Sequence, residues 1–188
     1  MSKILRSKKE IDQLLTRKYK LHFVPTMGFL HEGHLKIVNE AKRNTESKTL
    51  VSIFINPIQF SEILDFDLYP KDLKNDISKL KLLKTDFIFI PQKNFISNSI
   101  SKIKIGKLSK MLCGVDRKEH FDGVATVIMK FLTLLRPEYI YLGEKDFQQI
   151  LVIRQLIKDF SINTNVRVIP TVREKGGLAL SSRNKRLS

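Results

Sequence analysis

Residues 21–34 read LHFVPTMGFLHEGH. The stretch opens on a near-continuous apolar run, Leu21 to Val24, of the kind that is buried on both faces within a parallel sheet. Gly28 and Gly33 follow, and a residue without a side chain lets backbone come close to a ligand. A helical pattern then begins. A helix starting near Gly33 would point free N–H groups and the positive end of its dipole at an anion. Strand, glycine-bearing loop and helix form the repeating unit of an α/β fold.

The same unit recurs along the chain. Residues 50–55, 87–90, 139–142 and 166–169 are further apolar runs of strand length. Helical spacing lies between them: Leu73, Ile77 and Leu80; Val124, Ile128, Phe131 and Leu135; Phe147, Ile150, Ile153 and Ile157. Pro70 is expected in the first turn of its helix and Pro137 just past the end of another. The alternation predicts a doubly wound, Rossmann-like parallel sheet. Residues 97–109 fit it less well and read as a strand-containing excursion or a loop. In this architecture ligands sit beyond the carboxyl ends of the strands, so the residues directly after each run are the candidates for chemistry.

Bulk properties narrow the field. A chain of 188 residues, 42% apolar and 28% charged, suits one globular domain with a real core. The lone Cys113 cannot form an intrachain disulfide and suits a reducing compartment. The first fifteen residues carry charges throughout, unlike a signal peptide. No run approaches the roughly 18 apolar residues of a membrane helix. A cytoplasmic protein without a membrane partner is expected. The net charge of +15 comes from lysines scattered along the whole chain. Dispersed charge reads as solvated surface, which argues against a nucleic-acid stripe.

Four post-strand segments carry candidate residues. His31 and His34, three apart, fall on one helical turn. They suit hydrogen bonds to nucleotide phosphates, and the residues alone also admit a metal pair or plain surface histidines. The spacing H-E-x-H departs from the zinc-protease H-E-x-x-H. Asn56-Pro57-Ile58-Gln59 offers amides for a hydroxyl or carboxylate, or a simple turn. Gly143-Glu144-Lys145-Asp146 offers a phosphate partner in Lys145 and a ribose or Mg²⁺-water ligand in Asp146, or a solvated pair at a helix start. Leu180-Ser181-Ser182-Arg183 offers two hydroxyls and a fixed charge for a triphosphate, or a helix cap.

Together, Pro25 to His34, Val51 to Phe60, Tyr69-Pro70, Gly114 to Val127, Tyr141 to Gln149 and Pro170 to Asn184 resemble the pantothenate synthetases (pantoate–β-alanine ligases), within the H-x-G-H nucleotidyltransferases. The matching stretches keep the family order and span nearly the whole chain. The resemblance implies ATP-dependent joining of pantoate to β-alanine through a pantoyl adenylate, with AMP and pyrophosphate released. It implies ATP contacts from Met27, Gly28, Phe29, Leu30, His31, Glu32, Gly33 and His34, then from Gly143, Glu144, Lys145, Asp146 and Val172, and from Leu180, Ser181, Ser182 and Arg183. His34 takes the family's role of acid. His31, Lys145 and Arg183 join it in catalysis, with Lys145 neutralising developing charge. Gln59 and Gln149 grip pantoate, Gln59 also near β-alanine. Mg²⁺ is expected on the ATP phosphates, with Asp76 a candidate for its water shell. A homodimer is implied.

Departures from the family pattern are visible. Lys71 stands where Arg usually follows Tyr-Pro. Arg117-Lys118-Glu119-His120-Phe121 replaces Arg-Pro-Gly-His-Phe, and Leu180 replaces a common Met, a volume-conserving change. Family members usually continue into a smaller C-terminal lid, so residues 1–188 are expected to be the nucleotide-binding domain without it. Lost closure is then expected to lower turnover more than ATP binding. Other readings are a nucleotidyltransferase with another acceptor, or a lidless nucleotide-binding or dimerisation module.

Overall fold

Neighbouring residues of a strand face opposite sides of a sheet, and here both sides are apolar. In β2 (Lys20–Thr26), Phe23 joins one buried cluster and Val24 the other. Leu50 and Val51 divide the same way in β3 (Ser47–Ile53), and Phe87 and Ile88 in β4 (Phe87–Phe89). Ile140 and Tyr141 repeat the division in β5 (Tyr139–Gly143). A sheet of this kind needs helices on both faces. The computed structural model of the chain, which describes residues 2–16, 19–92, 94–97, 101–117 and 119–186, supplies them.

The helices are α1 (Lys8–Leu15), α2 (Glu32–Lys42), the short α3 (Ile63–Asp67), α4 (Leu73–Leu82), the short α5 (Asn94–Ser97), α6 (His120–Leu135) and α7 (Phe147–Asp159). Residues of α1, α6 and α7 share the cluster of Phe23, whereas Val38 and Ala41 of α2 and Leu80 of α4 share that of Val24. With β1 (Lys3–Leu5) and β6 (Asn165–Ile169) the strands form one six-stranded parallel sheet, ordered β1-β4-β3-β2-β5-β6. From β2 the chain builds outward through β3 and β4 on one side, then through β5 and β6 on the other. The direction reverses between β2 and β5, which places a ligand crevice beyond their carboxyl ends.

α6 is buried nearly all round, with Phe121, Val124, Ile128, Phe131 and Leu135 in the core, as suits a helix packed between the sheet and other elements. It stops at Arg136, whose left-handed φ of 47° returns its amide to Leu132 just before Pro137. Pro70 behaves differently from the expectation: α4 starts at Leu73, and Asp72 caps it by accepting from the Asn75 amide at 3.1 Å. Residues 101–106 run without regular structure, with the amides of Ile103 and Ile105 held by Thr126 Oγ1 (2.9 Å) and Asp122 Oδ1 (2.8 Å) of α6. Residues 98–100 lie outside the described residues. Among the described residues no helix is long and apolar enough to cross a membrane.

Candidate active site

The loop after β2 is held through the backbone of Gly28, Phe29 and Leu30. The Thr26 hydroxyl donates to the Ser52 carbonyl (2.6 Å) and accepts from the Gly28 amide (3.3 Å). Gly28 turns the chain at φ 81°, and Phe29 continues it at φ 52°, a conformation uncommon outside glycine. A Cβ on Gly28 would meet Asp76 Oδ2 at 3.0 Å, so the glycine also makes room for that carboxylate. Asp76, 1% exposed, accepts from the amides of Phe29 (2.8 Å) and Leu30 (2.7 Å), one per oxygen. Lys79 of α4 donates to the Leu30 carbonyl (2.6 Å), and the Ser182 hydroxyl donates to that of Phe29 (3.2 Å). Burial pushes the Asp76 carboxyl above the usual range, and the two amides pull against it. Each oxygen of Asp76, expected near the water shell of Mg²⁺, thus accepts one amide of the loop.

The two histidines come next. His31 caps α2, its Nδ1 accepting from the Gly33 amide at 3.2 Å, and Nδ1 of His34 accepts from the His31 amide at 3.3 Å. Their rings lie 4.0 Å apart, centroid to centroid. A nitrogen that accepts from an amide carries no proton, so both rings are set as Nε2–H tautomers. Burial, then the neighbouring His31, Lys145 and Lys79, bring His34 down to about 3. His31 is also lowered, by burial first. A neutral imidazole at this site donates a hydrogen bond and has no spare proton to release. In the neutral form His34 offers a ligand its Nε2–H as a hydrogen-bond donor.

The histidines form one wall of a cleft beyond β2, β5 and β6. Met27, Gly33, His31 and His34 line one side. Gly143, Lys145, Asp146 and Gln149 line a second, and Val172, Leu180, Ser181, Ser182 and Arg183 close a third. Lys145 Nζ stands 3.7 Å from Asp146 Oδ1. Arg183 is held by Asp65 of α3 at 2.9 Å and lies over the Tyr69 ring, 5.6 Å from its centroid. Other expected nucleotide contacts serve the loop or face away. The Leu30 side chain is core, 3% exposed. Gly28 and Phe29 contribute their backbone to the anchors already described. Glu32 and Glu144 are exposed outside the lining, Glu144 accepting from the Thr171 amide at 3.3 Å.

A second lobe shares Pro25, Met27, His34, Tyr69, Asp146 and Gln149 with the first. Gln59 and Gln149 supply amides there, while Val124, Val127, Ile128 and Phe131 make an apolar wall. His34 and Gln149 line both lobes, Lys145 the first and Gln59 the second. The Gln59 amide donates to the Met27 sulfur at 2.9 Å. Asn56, 1% exposed, donates to Gln59 Oε1 (3.1 Å) and to the Gly123 carbonyl (3.0 Å), and its own Oδ1 is buried with no partner among the described residues. Asn56, offered by the sequence beside Gln59, lines this lobe, and Tyr69 is a lining residue that sequence reasoning left out. Asn56 carried a weak signal as the polar residue just past a strand, and Tyr69 carried none beyond its place before Pro70.

The chain matches the family model described as pantoate-beta-alanine ligase over residues 2–188. It belongs to that family. A pantothenate synthetase of Thermosipho africanus is 42% identical over 190 residues, covering 100% of this chain and 68% of the relative. One from Francisella tularensis subsp. novicida is 43% identical over 177 residues, with 93% and 67% covered. The crystal structure of the Francisella tularensis pantoate-beta-alanine ligase, complexed with beta-gamma ATP and beta-alanine, superposes with a TM-score of 0.94 at 39% identity, covering 100% of this chain and 74% of that one. The chain therefore spans about two thirds to three quarters of the length of these ligase-family relatives.

Of the departures from the ligase pattern, Leu180 lines the cleft, whereas Lys71 and Glu119 lie outside the lining of both lobes. Lys71 Nζ lies over the Phe66 ring of α3, 5.1 Å from its centroid. Glu119 takes φ 60° directly before α6, at the place where the family pattern has glycine. Lys118 lies outside the described residues.

Proposed function

We propose that this chain catalyses the ATP-dependent condensation of pantoate with β-alanine through a pantoyl adenylate. The observation that carries the reading is the pair of lobes sharing His34, Met27 and Gln149. One lobe is rich in N–H donors and cations, as a triphosphate needs. The other sets two glutamine amides against an apolar wall, as a hydroxy acid with a methylated carbon needs. A shared wall brings a carboxylate next to an α-phosphate.

The chemistry follows from that placement. A pantoate carboxylate oxygen attacks the α-phosphorus, and the bond to the β-phosphate oxygen breaks, releasing pyrophosphate. The β-alanine amine then attacks the acyl carbon, loses a proton, and AMP leaves. Neither step needs a protein nucleophile, so positioning and charge stabilisation do the work. Nε2–H of His31 and His34 donates to phosphate oxygens. Lys145 and Arg183 neutralise charge as it develops, and Ser181 holds the phosphates. Gln59 and Gln149 orient pantoate, and Asp146 and Val172 face the adenosine. The cleft offers donors and cations far more than carboxylates, so Mg²⁺ fits as an ion held by the phosphates. Bound there, it offsets the charge of the leaving pyrophosphate.

We assign the chain to the cytoplasm and to a homodimer on the family's account. Support for the dimer comes from the groove between residues 102–108 and α7, where Leu108 and the exposed Phe160 present apolar surface suited to a second copy. Sedimentation at rising concentration tests it, and a monomer throughout rejects it.

Incubation with ATP, pantoate and β-alanine is expected to release AMP only when both acids are present. AMP or pyrophosphate release with a phosphate ester in place of pantoate would move the assignment to another nucleotidyltransferase. ATP affinity without turnover at high enzyme concentration would leave only a binding module.

A further inference from the structure

We infer that the first turn of α6 is the positioning element for Gln59, with His120 as the residue that acts through the Gln59 backbone. The inference rests on the reading of Gln59 as a pantoate contact. The residues 56–59 leave β3 and form a single short 3-10 turn, which by itself is a weakly held structure. Its internal bonds are long: the Gln59 amide reaches the Asn56 carbonyl at 3.4 Å and that of Phe60 reaches Pro57 at 3.3 Å. Something else must fix it.

α6 does so at three places. His120 Nδ1 donates to the Gln59 carbonyl at 2.6 Å. The Gly123 carbonyl accepts from Asn56 Nδ2 at 3.0 Å, and Asn56 in turn holds Gln59 Oε1 at 3.1 Å. Gly123 also lets the helix backbone touch the turn, because a Cβ there would overlap the Ile58 carbonyl oxygen and lie 2.7 Å from Gln59 Cα. The backbone and the side-chain oxygen of Gln59 are therefore both set from one helix end. A carbonyl that accepts a short bond from a half-buried ring is left without a partner when the donor is removed, and the turn then opens more readily.

The test uses the full chain with two substitutions. His120→Leu removes the donor and keeps the bulk. His120→Asn puts a side-chain N–H close to where Nδ1–H stood. Amide hydrogen exchange at Gln59 and Phe60 reads the turn directly, and titration with pantoate and with a non-hydrolysable ATP analogue reads the site. In His120→Leu those amides are expected to exchange about tenfold faster and pantoate to bind about tenfold more weakly, with ATP-analogue affinity unchanged. His120→Asn should recover most of both losses. Unchanged exchange in His120→Leu overturns the inference, as does equal weakening of both ligands, which marks general loosening. If the unsubstituted chain fails to bind pantoate, the reading of the site falls, and the exchange contrast between Leu and Asn alone decides whether His120 positions the turn.

Discussion

The amide of His31 donates to Nδ1 of His34 at 3.3 Å, and this bond decides which imidazole nitrogen faces the cleft. With Nδ1 occupied by the backbone, the proton sits on Nε2 and points toward a ligand. His34→Ala removes the donor and is expected to slow pyrophosphate release from ATP and pantoate by roughly a hundredfold, the usual scale for one lost transition-state donor. His34→Gln, whose amide N–H reaches a similar place, should retain part of the rate. Equal rates for His34→Ala and the parent chain would remove His34 from the mechanism.

Acid should loosen the fold through the same histidines. His34 is brought down to about 3 from an ordinary 6.5, chiefly by burial. His31 and His120 are lowered too, again by burial first. The folded chain therefore protonates these rings at lower pH than the unfolded chain, which takes up protons below about 6.5. The unfolded state then binds more protons, so stability present above 6.5 is lost as pH falls toward 3. Each such group adds at most about 1.4 kcal/mol per pH unit to the slope. Asp76, raised above its usual value, opposes the trend at the acid end. Urea unfolding of the parent chain and of His34→Asn, from neutral pH down to about 5, should give a flatter pH profile for the variant. Parallel profiles would show that His34 carries no such linkage.

Asp76 holds the Phe29 and Leu30 amides from a helix that lies far away in sequence. Asp76→Asn keeps one acceptor and turns an N–H donor toward the other amide. The unpaired pair should cost about 1–3 kcal/mol in urea unfolding. Because these amides shape the loop carrying both histidines, ATP affinity should fall with it, by about tenfold. Asp72→Asn, at the cap of the same helix, keeps an acceptor for the Asn75 amide and should change neither quantity much. Matching losses in the two variants would mean that Asp76 merely supports α4.

The sheet was legible because its central strands are buried on both faces and so appear as unbroken apolar runs. β1 was not: with Lys3 exposed and only Leu5 fully buried, three residues show no period. Glycines and histidines marked the cleft beyond β2, because they follow a strand directly and line it together. Burial sorted the rest. Leu30, expected among the ATP contacts, has a core side chain, and Asp76, expected near Mg²⁺, accepts from amides 46 and 47 residues earlier. His120 reaches the carbonyl of Gln59 across 61 residues. Partnerships of that span are written in the packing of α4 and α6 and leave no local spacing to read.

Glu119 shows what a departure from the family pattern does physically. It takes φ 60° at the start of α6, where the side chain crowds the backbone at about 1–2 kcal/mol. Its compensation is slight. The pair with Lys104, at 3.3 Å, joins side chains 70% and 73% exposed, and Lys104 keeps a second partner in Asp122 at 3.1 Å. Exposed pairs of this kind contribute about 0–1 kcal/mol. Glu119→Gly relieves the crowding and gives back part of the gain, because glycine frees the unfolded chain. A net stabilisation of about 0.5 kcal/mol is expected. Glu119→Ala keeps the crowding and loses the ion pair, so it should be no more stable than the parent chain. Urea midpoints of the three proteins rank them, and an alanine variant as stable as the glycine one would show that the left-handed backbone at Glu119 carries no strain.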